Sequence, residues 1–264
     1  MLRKIILLLA IATLSLPTYA AELWEKIQER GTIRVGMSTF VPWAMRDKSG
    51  NLIGFEIDLA KQFAKDHGLE IEFVPTAWDG IIPALIAGKF DVIIGGMTIT
   101  DARQKTVDFS IPYAQGGVQL AAHKEKAKDL KTIEDFNSRR ITLTARRGTT
   151  AAKAAKELMP KARLRQFDDD SQAFQEVLNG RAHAALASSP KPEHQSVKNL
   201  DTLFLPFDEM LFEGNEGMAF SKGNIESIKT FDTWIEARTA DGWLKKTRDY
   251  WFRTLDWEDQ TNAN

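Results

Sequence analysis

Hydrophobic positions along the chain fall into short runs that alternate with stretches of helical period. Ile33 to Gly36 reads as a buried strand, Asp58 to His67 as an amphipathic helix stopped by Gly68, and Ile71 to Val74 as a second strand. Asp79 is placed to cap a helix from Gly80 to Ala87 closed by Gly88, and Phe90 to Ile94 then reads as a buried strand ending in Gly95 and Gly96. Glycines at such a strand end let another group approach the backbone closely. The rhythm restarts after Tyr113, with strand 118–122, a capping box of Thr132 and Asp135, strand 141–144, helix 149–158, strand 164–167, helix 171–179 and strand 184–187. Alternation of this kind predicts an α/β protein of mostly parallel sheets flanked by helices. No linker rich in Gly, Pro or Ser divides the two stretches, so two lobes joined by extended crossovers are expected, with the cleft between them as the ligand site.

The first 20 residues break this pattern. A basic start at Arg3 and Lys4, an apolar stretch from Ile5 to Leu16, Pro17 and a small-residue end at Thr18 and Ala20 form the three parts of a secretory signal peptide, with cleavage expected after Ala20. The apolar run is roughly a dozen residues, short of the roughly 20 that span a bilayer. With no Cys at the cleavage point to carry a lipid, the expected destination is the periplasm.

Composition narrows the chemistry. Of 264 residues, 43% are hydrophobic and 27% charged, which suits one or two globular domains. Lys and Arg total 35 against 36 Asp and Glu, so the net charge of -1 offers no footprint for nucleic acid. Absence of Cys excludes disulfides, a thiol nucleophile and thiolate-bound zinc, and the four His show no metal-ligand spacing, so neither metal nor cofactor is expected. No nucleophile elbow or phosphate loop is present, and nothing in the chain requires an enzyme.

Three constellations stand out for binding. MTITDAR at 97–103 follows a buried strand and opens a helix, bringing Thr98 and the Arg103 guanidinium to the strand's carboxyl end near Gly96; an Arg fork grips a carboxylate through two parallel charge-assisted hydrogen bonds. RRGTT at 146–150 sets Arg146, Arg147 and Thr149 at a strand-to-helix junction, where the first helical N–H groups lack partners and attract anions. Phe40, Trp43 and Trp78 flank strands of the first half and are candidate walls for the apolar part of a ligand.

These motifs, together with GFEIDLA at 54–60, WDGIIPAL at 78–85, GKFDVI at 88–93, VDFSIPY at 107–113, LNGRAHAAL at 178–186 and DGWL at 241–244, resemble the extracellular solute-binding proteins, family 3, that serve ABC importers of polar amino acids. The resemblance implies a two-lobed periplasmic binding protein fold (type II) with two hinge crossovers. It assigns residues 21–114 plus 220–264 to one lobe and 115–219 to the other, and the lobes close on the ligand like a hinged trap. It implies a monomer that hands a small carboxylate ligand, an amino acid or derivative, to an inner-membrane ABC permease. By the same resemblance Arg103 binds the ligand carboxylate with Thr98 and, across the cleft, Thr149, while Phe40 and Trp78 wall the ligand side chain. Members of the family usually carry an Asp where Ser188 stands, pairing with the ligand ammonium, and another where His183 stands. A neutral Ser188 leaves a buried ammonium without its usual counter-charge. With Arg146 and Arg147 added to the cleft wall, the expected ligand carries more negative charge than a neutral amino acid. The rival expectation is an enzyme of the prephenate or arogenate dehydratase kind on the same scaffold, with Glu213, Glu216 or Asp170 as its acid.

Overall fold

The structure, a computed structural model, describes residues 22–207 and 209–261; the expected signal peptide lies outside the described residues. Among the described residues no helix is long and apolar enough to cross a membrane.

Two mixed sheets organise the chain. The first has the order Glu70–Pro75, Thr32–Met37, Val92–Ile93, Ala219–Ser221, Val107–Phe109. Its first three strands run parallel, and Ala219–Ser221 runs antiparallel to both of its neighbours. Alternate residues of Thr32–Met37 enter a core that includes Ile27, Phe55, Phe63, Phe220, Phe231 and Trp251. Helices Ile225–Ala240 and Trp243–Arg253 supply part of that core, so the end of the described chain packs on the same sheet as its beginning. The helix expected from Asp58 begins earlier, spanning Phe55–Asp66, because Phe55 and Glu56 are themselves buried in its first turn.

The second sheet has the order Leu203–Phe204, Ala114–His123, Ala184–Ser188, Thr142–Arg146, Arg163–Phe167. The last three strands are parallel, as helices Thr150–Leu158 and Asp170–Leu178 require when they cross from one strand to the next. Ala114–His123 is antiparallel to its partners because the chain enters it directly from the first sheet, without a helical crossover. Its first half pairs with Phe212–Glu216 in the register Ala114↔Glu216 to Val118↔Phe212. This two-stranded ribbon carries the chain from one sheet to the other and back.

The capping box at Thr132 forms as expected, with Asp135 reaching back to the Thr132 backbone N–H. The cap expected at Asp79 does not. Residues Trp78–Gly80 form a 3-10 turn that runs straight into helix Ile81–Ile86, so Asp79 lies inside the turn rather than at a helix start.

Candidate functional site

Residues at the carboxyl ends of strands from both sheets line a cavity of about 430 Å³, its open mouth included. Ser38, Phe40, Trp78, Gly95, Gly96, Thr98 and Arg103 come from the side of the first sheet. Arg146, Thr149, Thr150, Ala151, Asp170, Ala187 and Ser188 come from the side of the second. Of the ten residues expected from sequence, the structure brings eight to this cavity: Phe40, Trp78, Gly96, Thr98, Arg103, Arg146, Thr149 and Ser188.

Arg103 sits in the short helix Asp101–Gln104, whose cap is the Thr100 hydroxyl accepting the Arg103 backbone N–H. This turn sends the side chain back over its own strand end. Nη1 donates to the Thr98 carbonyl at 2.8 Å, and Nη2 reaches the Gly148 carbonyl of the opposite half at 3.3 Å. The guanidinium carbon stands 5.8 Å from the centroid of the Trp78 ring. Burial lowers its pKa to about 10, and among the described residues no carboxylate pairs with it. An Arg that is desolvated, oriented and without an anion is prepared to receive one.

On the facing wall, Thr149 caps helix Thr150–Leu158. Its hydroxyl accepts the Ala152 N–H at 3.1 Å and donates to the Arg146 carbonyl at 2.7 Å, so it is already engaged. The groups this helix start offers an anion are instead the N–H donors of its first residues, Thr150 and Ala151, which both line the cavity. Gly148 precedes the cap with φ of +74°, and a Cβ there would stand 3.1 Å from the Asp79 Cα of the opposite half, so only glycine lets the two walls meet this closely.

Two expectations are corrected. Trp43 is 1% exposed and does not reach the cavity. It stacks behind Phe40 at 4.2 Å between ring centroids and backs Gly96, where a Cβ would come within 2.8 Å of the indole. Arg147, the first residue after strand Thr142–Arg146, also lies off the cavity. It is half exposed, with Nε 3.2 Å from Asp168 and 3.7 Å from Asp79. Only one of the two adjacent arginines therefore charges the cleft.

Arg146 is buried and spans it. Nε donates to the Asp168 carbonyl at 3.1 Å, Nη1 to the Thr39 carbonyl at 3.2 Å, and Nη2 to the Ser38 hydroxyl. Asp170 Oδ2 lies 3.8 Å from Nη1. Ser38 was not among the expected site residues, and Asp170 was expected only as a candidate acid of the rival enzyme, not as a ligand contact. Asp170 carries a signal of the same kind as RRGTT, a polar run at a strand-to-helix junction, and of the three acids weighed for catalysis it alone lines the cavity.

Behind the first wall, the Tyr113 hydroxyl donates to the Glu56 carboxylate at 3.0 Å and accepts the Gly96 N–H at 3.3 Å, holding the glycine turn in place. Burial, reinforced by the charge of Glu216, pushes Glu56 well above the ordinary carboxylate range; burial pushes Glu216 to about 7 against the opposing pull of Arg248.

A model of the bacterial extracellular solute-binding proteins, family 3, matches residues 33–254. The chain belongs to this family. It is 32% identical over 244 residues to the L-cystine-binding protein TcyJ of Escherichia coli strain K12, covering 92% of this chain and 91% of that one. It is 26% identical over 244 residues to the cyclohexadienyl dehydratase of Pseudomonas aeruginosa, covering 91% and 90%. Among solved structures, the ancestral amino acid-binding protein AncCDT-1, a precursor of cyclohexadienyl dehydratase, superposes with a TM-score of 0.81 at 40% identity, over 88% of this chain and all of that one. A binding component of an ABC transporter from Wolinella succinogenes, complexed with lysine, gives a TM-score of 0.82 at 35% identity over 87% and 99%. The two sheets joined by a ribbon are thus the two-lobed fold of this family of solute-binding proteins.

Proposed function

We propose that this solute-binding protein works in the periplasm, where it captures an amino acid or amino-acid derivative through its carboxylate and delivers it to an inner-membrane ABC permease. The observation that carries the reading is Arg103, a buried guanidinium with no carboxylate partner among the described residues, turned into a cavity between two sheets. Phe40 and Trp78 wall the ligand, and Thr98 and the start of helix Thr150–Leu158 complete the anion pocket. The lobes are residues 21–114 plus 220–264 and residues 115–219, and they move on the ribbon between them. Relatives named for binding cystine and a neighbour complexed with lysine support an amino-acid ligand.

A second reading, a dehydratase acting on prephenate or arogenate, draws on Asp170, a buried carboxyl on the cavity wall with its pKa raised by burial to about 6, and on the dehydratase among the relatives. One experiment separates them. In a thermal-shift screen over amino acids, opines and dicarboxylates, at least one amino acid or derivative raises the melting temperature, by about 3 kcal/mol of stabilisation at a hundredfold excess over Kd. Prephenate incubated with the protein yields no phenylpyruvate. Turnover of prephenate, with no amino acid bound, overturns the binding reading.

A further inference from the structure

The charges inside the cavity divide into two stations. Arg103 holds to Thr98 and Gly148, whereas Arg146 holds to Ser38, Thr39 and Asp168, and the two guanidiniums share no hydrogen-bond partner. Each stands 5.8 Å from the centroid of Trp78, which lies beside both stations. Asp170 belongs to the second station and is the only carboxylate among the described residues that line the cavity.

Asp170 is 7% exposed, yet its carboxylate accepts no hydrogen bond from any described residue; Arg146 approaches only to 3.8 Å. The capping duty at this helix start is performed by its neighbour Asp169, which accepts the Ser171 N–H, so Asp170 is not needed there. Lys191, itself buried, adds positive charge near it. A buried carboxylate with empty acceptor positions is costly, and burial raises its pKa to about 6. Arg146 is likewise incompletely used, since each of its two terminal nitrogens makes one hydrogen bond to the protein.

We infer that Arg146 and Asp170 together read the far end of the ligand and select one that offers an acceptor and a donor side by side, either a carboxamide or a second zwitterionic amino-acid head. This rests on the binding reading above, in which Arg103 takes the α-carboxylate. Arg146 and Asp170 are of opposite sign and both have unused hydrogen-bonding capacity, so a far end that offers an acceptor to one and a donor to the other completes both. A purely cationic far end meets Arg146, and a purely anionic one meets Asp170.

The test is calorimetric binding of L-glutamine, L-cystine, L-lysine, L-glutamate and L-norleucine to the wild-type protein, to Asp170→Asn and to Arg146→Met. In the wild type, glutamine or cystine binds at least tenfold tighter than the other three. Asp170→Asn, close in shape to the parent, moves the preference toward glutamate, and Arg146→Met moves it toward lysine, each by about tenfold. Opposite shifts of this kind do not arise from a pair that merely props the cleft. The inference is overturned if the wild type prefers lysine, glutamate or norleucine, or if both variants weaken every probe equally while Arg103→Ala still abolishes binding. The wild-type ranking decides the matter even if Arg146→Met fails to fold. Should none of the five probes bind while an opine from the thermal-shift screen does, this inference falls and the binding reading stands; should nothing in that screen bind and prephenate be turned over, both fall.

Discussion

Arg146 and Arg147 are adjacent in sequence and opposite in placement. Charge counting along the chain treats them alike, because nothing in the string RRGTT tells which side chain follows the strand's inner face. The sheet decides it: Arg146 is buried against Ser38, Thr39 and Asp168, while Arg147 stays at the surface between two carboxylates. Exposed pairs of that kind contribute roughly 0 to 1 kcal/mol. Arg147→Ala is therefore expected to bind the ligand found in the thermal-shift screen within about twofold of wild type, as read by calorimetry. Trp43 illustrates the same limit of sequence reading from the other side. Aromatic residues near strand ends look alike on paper, and only the stacking on Phe40 and the close approach to Gly96 put Trp43 behind the wall rather than on it.

At the scale of elements, starts governed by side-chain hydrogen bonds were the most legible in sequence. Thr132 sits where its capping chemistry places it, because a hydroxyl followed by unpaired N–H groups is a local signal independent of tertiary packing, whereas Thr149, read as the first helical residue, is the cap of helix Thr150–Leu158. Asp79 looked equally suitable, but a 3-10 turn absorbed it. The direction of Ala114–His123 left no local trace at all, since an antiparallel return depends on how the chain crosses between sheets. The Thr149 cap also ties the helix start to Arg146 through the carbonyl it donates to. Thr149→Ala is expected to cost about 1 kcal/mol and to lower the melting temperature by about 2 to 4 °C. Because the same helix start lines the cavity, ligand affinity should fall in parallel; unchanged affinity would mean that this helix plays no part in holding the anion.

For the whole molecule, the ribbon of Ala114–His123 and Phe212–Glu216 sets how the two halves meet, and Glu216 at its end is bridged to Thr98 of the site. The Glu216 carboxyl, only 3% exposed, has its pKa raised to about 7 by burial, so the folded protein retains a proton there that the unfolded chain releases near pH 4.5. Folding is therefore disfavoured by ionisation above about pH 7 and relieved as the pH falls through that value. Compared with Glu216→Gln, which stays neutral, the parent should gain on the order of 2 kcal/mol of relative stability between pH 8 and pH 5, measured by denaturant unfolding at each pH. A constant difference between the two proteins would place the carboxyl in a better solvated setting than the structure gives it. The most direct measurement remains isothermal titration of the ligand from the thermal-shift screen into wild type and Arg103→Ala. Loss of a buried charge-assisted carboxylate contact predicts a weakening of about 2 to 5 kcal/mol, roughly thirtyfold to several thousandfold in Kd. Binding by the variant within a few-fold of wild type would contradict the carboxylate grip on which the functional account is built.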